Sequence, residues 1–83
     1  MGAPDDNDRP SKGLEDLTVS ELTLAIEETI LTKEDKRIAR LRFVELETIE
    51  RIAETMMLDK RTVQKRLIRI FPRVVWTVQK LLR

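Results

Sequence analysis

The sequence predicts an all-α protein, a small bundle of four to five helices that contains a helix-turn-helix. Apolar residues recur along most of the chain at the three- and four-residue spacing of amphipathic helices. No segment shows the alternation of apolar and polar residues that a strand needs. A threonine or an aspartate precedes several of the apolar stretches, where a helix N-cap belongs. At 83 residues the chain has room for one small domain.

The composition excludes several kinds of chemistry. The chain contains no cysteine and no histidine, so disulfides, Cys/His zinc sites and catalysis by imidazole or thiolate are excluded. The acid pairs Glu27-Glu28 and Glu34-Asp35 are typical of ordinary surface carboxylates, and two glycines cannot build a Gly-rich phosphate loop. We therefore expect no enzyme, cofactor or metal. No apolar run is long enough for a membrane span or ordered like a signal peptide, and we expect a cytoplasmic protein without a membrane partner.

The N-terminal third begins with a predicted tail and continues into a first helix. Residues 1–13 combine two prolines, two glycines and three aspartates, which predicts a disordered tail, and 14–83 are predicted to form a single helical domain. Within 14–31, Thr18 and Glu21 have the spacing of a capping box. The apolar stripe of this helix is predicted to comprise Leu22, Ala25, Ile26, Thr29 and Ile30.

A second helix is predicted within 32–46. Thr32 is its candidate N-cap, and Glu34 and Asp35 fall in the first turn, where acids suit the helix dipole. Its inner face is predicted to consist of Ile38, Leu41 and Val44, flanked by Ala39 and Phe43.

Residues 48–71 have the spacing of a helix-turn-helix. The third helix begins after Thr48, and its inner positions are Ile49, Ile52, Ala53 and Met56. Met57, Leu58 and Asp59 form the predicted turn, with Asp59 as N-cap of a fourth helix that starts at Lys60. The buried stripe of that helix is predicted at Val63, Leu67 and Ile70.

Charge is divided unevenly along the chain. Residues 1–32 hold eight acids and two bases, a net of −6, whereas residues 33–83 hold seven acids and fourteen bases, a net of +7. No acid occurs between Lys60 and Arg83, which favours a polyanionic partner. The candidate DNA-binding residues of the fourth helix are Lys60, Arg61, Thr62, Gln64, Lys65, Arg66 and Arg69. Arg and Lys suit guanine, Gln suits adenine and the Thr methyl suits thymine, while a phosphate is the expected contact of Arg66.

Pro72 is expected to end or kink the fourth helix, because proline lacks the N–H that a helix interior needs. The following segment, 73–83, is too apolar for a free tail. It either folds back over the bundle or forms the seam of a homodimer. Homodimerisation through 73–83 is the interpretation we favour.

Leu31 to Phe71 resembles region 4 of the sigma-70 family of bacterial transcription initiation factors, above all its extracytoplasmic-function branch. The resemblance is carried by Leu31-Thr32, Arg40-Leu41-Arg42-Phe43, Ile52-Ala53-Glu54 and Thr62-Val63-Gln64-Lys65-Arg66-Leu67 followed by Arg69. LuxR-type regulators and phage-encoded region-4-like regulators are similar. The resemblance implies that residues around Lys60 to Lys65 meet the −35 promoter element, and that the domain docks on the flap of the RNA polymerase β subunit.

The sequence departs from this family in two ways. Met57 stands in the turn where the family usually has glycine, and a side chain there predicts a cost of about 1 kcal/mol or another turn geometry. The chain has no room for region 2, so we expect an isolated region 4 and not a complete sigma factor. The predicted function is a sequence-specific DNA-binding transcriptional regulator that places a recognition helix, at about 60–71, in the major groove. Arg or Lys side chains of the second and third helices would contact phosphates. The alternative is a protein-interaction module that docks on RNA polymerase or another regulator without reading DNA. In a variant of this alternative, the acidic first helix covers the basic face of its own chain or of a partner.

Overall fold

Four α-helices make up the part of the chain that the computed structural model describes, namely Leu14 and residues 16–81. The tail predicted at 1–13 lies outside the described residues. The helices are α1 (Val19–Glu28), α2 (Lys33–Ala39), α3 (Ile49–Met56) and α4 (Lys60–Leu81), and α2 continues into a π-helical turn at Arg40–Val44. Throughout these described residues the regular structure is helical, which confirms the predicted all-α class.

Each helix starts at the residue that the sequence predicts, because each has a side-chain cap. The Thr18 hydroxyl accepts from the Glu21 N–H at 3.1 Å, and the Glu21 carboxylate accepts from the Thr18 N–H at 3.0 Å. Thr32, Thr48 and Asp59 each accept from the backbone N–H three residues further on, at 3.0 to 3.1 Å. These bonds satisfy N–H groups that would otherwise lack partners at the four helix starts.

All four helices contribute to one hydrophobic core. Its buried members are Leu14, Leu22, Ala25, Ile26, Ile38, Ala39, Phe43, Ile52, Ala53, Val63, Ile70, Val74 and Val78. α4 contacts each of the other helices, so it is the central element of the bundle. Complete burial of one aliphatic side chain contributes about 1.5–3 kcal/mol. Packing therefore stabilises these short helices more than their intrinsic helix propensity does.

Several predicted inner positions are less buried than expected, among them Ile49 and Met56 of α3 and Leu67 of α4, which are half-buried. Ile30 is 88% exposed, because α1 ends at Glu28 and the extended backbone of Thr29 turns the chain away from the core. In the second helix Leu41 and Val44 are only half-buried, whereas Phe43 is buried. The π-helical turn causes this shift: the Glu45 N–H donates to the Arg40 carbonyl five residues back, so side chains rotate away from α-helical register.

Pro72 does not end the fourth helix, and the expected boundary of the recognition helix near residue 71 is wrong. α4 runs on to Leu81 with Pro72 inside it. Beyond Pro72, Val74 and Val78 are buried in the core, and the Thr77 hydroxyl lies 2.8 Å from that of Thr29 at the end of α1. This burial stabilises helical structure past the proline. The segment after Pro72 therefore continues α4 and packs against its own bundle.

Candidate nucleic-acid interface

The turn between α3 and α4 keeps the left-handed geometry that usually calls for glycine. Met57 has φ 59° and ψ 42°, and its side chain is 90% exposed. Its N–H donates to the Glu54 carbonyl at 3.2 Å, and the Leu58 N–H donates to the Ala53 carbonyl at 2.9 Å. These two bonds form a Schellman motif, which closes the end of α3. The alternative turn geometry expected for methionine is therefore not adopted.

Asp59 fixes the start of α4 immediately after this turn. Its carboxylate accepts a hydrogen bond from the Thr62 N–H at 3.0 Å. Hydrogen bonding from Thr62 holds the pKa of Asp59 below its ordinary value of 3.8. A carboxylate at this position also suits the positive end of the α4 dipole. The Schellman motif that ends α3 and the Asp59 cap together fix the position of the first turn of α4.

Arg61, Gln64 and Lys65 form the middle of the predicted DNA-binding face. All three side chains are exposed, and they share one side of α4 because residues three and four apart are neighbours on a helix. Lys60, at the edge of the face, lies 3.3 Å from the Glu50 carboxylate of α3. Thr62 is half-buried beside Asp59.

Arg66 and Arg69 lie on the edge of α4 that faces the start of α2. The Arg66 guanidinium lies 2.6 Å from the Glu34 carboxylate and 3.2 Å from that of Asp35. Arg69 is 3.9 Å from Asp35. The hydrogen bond to Glu34 is the main reason that the pKa of Arg66 is raised. With Lys60, which pairs with Glu50, three of the seven predicted DNA-binding side chains are therefore engaged by acids of the same chain.

The interpretation of Glu34-Asp35 as ordinary surface carboxylates is wrong for Asp35. Asp35 is only 8% exposed and pairs with two arginines of α4. Sequence reasoning missed this cluster because Arg66 lies 31 residues away from Asp35 along the chain. The signal in the sequence was the opposite charge of the acidic start of α2 and the basic helix α4. Many other pairs of acidic and basic residues in this chain have the same complementarity, so the signal does not select this pair.

The acidic first helix is turned towards α2. Glu27 of α1 lies 3.4 Å from Arg40 and 3.9 Å from Lys36, whose ammonium also donates to the Glu27 carbonyl. Within the described residues no ion pair joins α1 to the segment from Lys60 to Lys65. The middle of the basic face on α4 is thus left open by α1.

Comparison of the chain with protein-family models, with curated proteins and with solved structures gave no match. Among the helices of the described segment, none combines the length and apolar character needed to cross a membrane.

Proposed function

We propose that this protein is a sequence-specific, double-stranded-DNA-binding transcriptional regulator. The single observation that supports this most is the face formed by Arg61, Gln64 and Lys65, exposed side by side on a helix with a fixed start. The first half of α4 would enter the major groove, and the preceding helix α3 would cross the backbone. A cytoplasmic location follows from this proposal.

The chemistry of the face suits base edges in the major groove. Arg61 and Lys65 can donate to guanine O6 and N7, and the Gln64 amide can both donate to and accept from adenine. Lys60 and Thr62, at the edge of the face, would contact phosphate or sugar. Arg66 and Arg69 would act mainly by holding α4 against α2 through Glu34 and Asp35. Arg51, exposed on α3, is the candidate phosphate contact of the third helix.

A mobility-shift assay against promoter DNA tests this proposal with two matched double variants. Arg61→Ala/Lys65→Ala removes two positive charges from the proposed reading face. Arg73→Ala/Lys80→Ala removes two exposed positive charges from the other half of the same helix. We expect the first variant to lose most of its affinity and the second to retain it.

The salt dependence of binding adds a second readout. Each phosphate neutralised contributes about 0.9 to the slope of log K against log salt. If both double variants bound DNA with the affinity of the wild-type protein, the assignment of this face would be wrong.

Circular dichroism is the control for folding. Alanine substitutions of exposed residues change stability by only about 0.5 kcal/mol, so we expect both variants to give the wild-type spectrum.

A second candidate function is docking on RNA polymerase without DNA reading. The observation that favours it is an apolar groove of about 550 Å³ beside Gln64, lined in part by Phe43, Leu67, Ile68 and Phe71. The resemblance to sigma region 4 implies a polymerase contact of this kind. Polymerase capture that persists in Arg61→Ala/Lys65→Ala, together with absent DNA binding by the wild-type chain, would favour this candidate.

Homodimerisation through 73–83 stays a prediction. Val74 and Val78 are buried within the chain, so a seam would have to use the exposed Trp76 and Leu81. Sedimentation of the full chain measures its mass directly: the mass of two chains would support the seam, and the mass of one chain would remove it.

A further inference from the structure

A cluster of exposed apolar side chains lies at the far end of α4 from the basic face. Ile30 is 88% exposed and Trp76 is 60% exposed. Pro72, four positions before Trp76 on α4, is exposed as well. Together with Thr29, Arg73 and Thr77 they line a groove of about 470 Å³, which we call the Ile30–Trp76 groove. Single exposed apolar residues are common on proteins, but a contiguous concave group marks an interaction surface.

The groove is held by the fold on both sides. Ile30 follows Thr29, whose hydroxyl lies 2.6 Å from the Ala25 carbonyl and 2.8 Å from the Thr77 hydroxyl. Pro72 and Trp76 are one turn apart on α4, so their side chains are neighbours on the helix surface. A partner would therefore meet a preformed surface, which reduces the ordering cost of binding.

Two bases, Arg73 and Lys80, and one acid lie at the rim of the groove. Arg73 lines this groove and also an adjoining one of about 440 Å³, which Arg69 and its ion-pair partner Asp35 line as well. The Lys80 ammonium lies 4.6 Å from the centre of the Trp76 ring. Glu28 is the single acid among the lining residues of the Ile30–Trp76 groove.

We propose that the Ile30–Trp76 groove binds an acidic amphipathic helix of a partner protein. The apolar anchors of that helix would fill the space between Ile30 and Trp76, as in other helix-in-groove complexes. Its flanking carboxylates would pair with Arg73 and Lys80. This occupant competes with the predicted homodimer seam, which would also use Trp76. A second copy of α4 fits the groove less well, because α4 has no acid and would bring basic side chains against basic side chains.

This surface is separate from the proposed DNA-reading face. Lys65 and Trp76 are eleven positions apart on α4, which corresponds to about 16 Å along the helix axis. Ile30 and the segment after Pro72 also lie outside the region that resembles sigma region 4, so the groove does not depend on that resemblance or on DNA reading.

The chain carries its own reporter for this groove, since Trp76 is its only tryptophan. The probe is a synthetic amphipathic helix with leucines at positions i, i+4 and i+7, glutamates on both flanks and no aromatic residue. The control peptide replaces the glutamates with lysines. Burial of Trp76 by the glutamate peptide should shift its emission to shorter wavelength, whereas the lysine peptide should leave it unchanged.

Variants locate the binding, with affinity measured by anisotropy of a labelled peptide. Arg73→Ala/Lys80→Ala should weaken the glutamate peptide about tenfold, as expected for two rim charges, and Arg61→Ala/Lys65→Ala should leave its affinity unchanged. Ile30→Ala should also weaken binding, and the exposure of Ile30 means that this variant keeps the fold.

The proposal is overturned by any of four results. These are no binding of the glutamate peptide, equal binding of both peptides, an emission shift caused by raising the protein concentration alone, and an equal shift produced by DNA or by anionic vesicles. The third result would assign the groove to a second copy, and the fourth to a general polyanion.

Discussion

The two halves of α4, residues 60–71 and 72–81, differ in composition and in surroundings. Neither half contains an acid, but residues 60–71 hold five basic side chains and residues 72–81 hold two. The first half presents Arg61, Gln64 and Lys65 to solvent and is held to α2 by Arg66. The second half presents Pro72 and Trp76 and is held to α1 by the contact between Thr29 and Thr77. One continuous helix therefore supplies two chemically different surfaces, and the difference between them comes from composition as well as from tertiary packing.

The largest expected effect comes from removing the second half altogether. A chain that ends at Phe71 loses Val74 and Val78 from the core, each contributing about 1.5–3 kcal/mol. Because small domains have only about 5–15 kcal/mol of stability, we expect loss of a cooperative thermal transition. Circular dichroism during heating measures this. An unchanged melting temperature would show that the second half is an appendage to an independent helix-turn-helix.

Pro72→Ala tests how strongly the two halves are coupled. Alanine supplies the missing N–H and removes the ring clash, so the free energy of unfolding should rise by up to about 3 kcal/mol. Urea denaturation measures the change. A decrease would mean that the proline geometry is itself needed to direct the second half towards α1.

Arg66→Ala sharpens the contrast within the first half. It leaves Asp35, a nearly buried carboxylate, with only the 3.9 Å contact to Arg69. We expect a loss of about 1–3 kcal/mol in unfolding free energy. The matched control is Lys65→Ala, one residue earlier and exposed, which should change stability by less than about 0.5 kcal/mol. Equal effects of the two substitutions would remove the positioning role of Arg66.

Met57→Gly gives the smallest expected effect. Glycine removes the cost of a side chain in the left-handed region, which predicts a gain of about 1 kcal/mol. Met57→Ala is the control: it keeps a Cβ at the same backbone angles and removes only exposed atoms, so its stability should match wild type. A loss of stability in Met57→Gly would mean that the methionine side chain has a packing role.

Local signals in the sequence predicted the helix starts correctly, because Thr18, Thr32, Thr48 and Asp59 each act within three residues of themselves. The helical class followed from spacing alone. The errors arose where distant parts of the chain decide the outcome. Burial beyond Pro72 stabilises the helix past the proline, and the π-helical turn buries Phe43 more deeply than Val44, which packs half-buried against the core.

The candidate site shows the same division. The exposure of Arg61, Gln64 and Lys65 follows from the periodicity of α4 and is visible in the sequence. The pairing of Arg66 with Glu34 and Asp35 is not, since it depends on how α2 and α4 meet in three dimensions.

Selection of bound sequences from a pool of random duplex DNA tests the central proposal most directly. The account predicts one enriched motif for the wild-type chain, and the loss of preference at one position of that motif for Gln64→Ala, because a single amide reads a single base. Recovery of DNA without any enriched motif, or of no DNA at all, would contradict sequence-specific reading by the first half of α4.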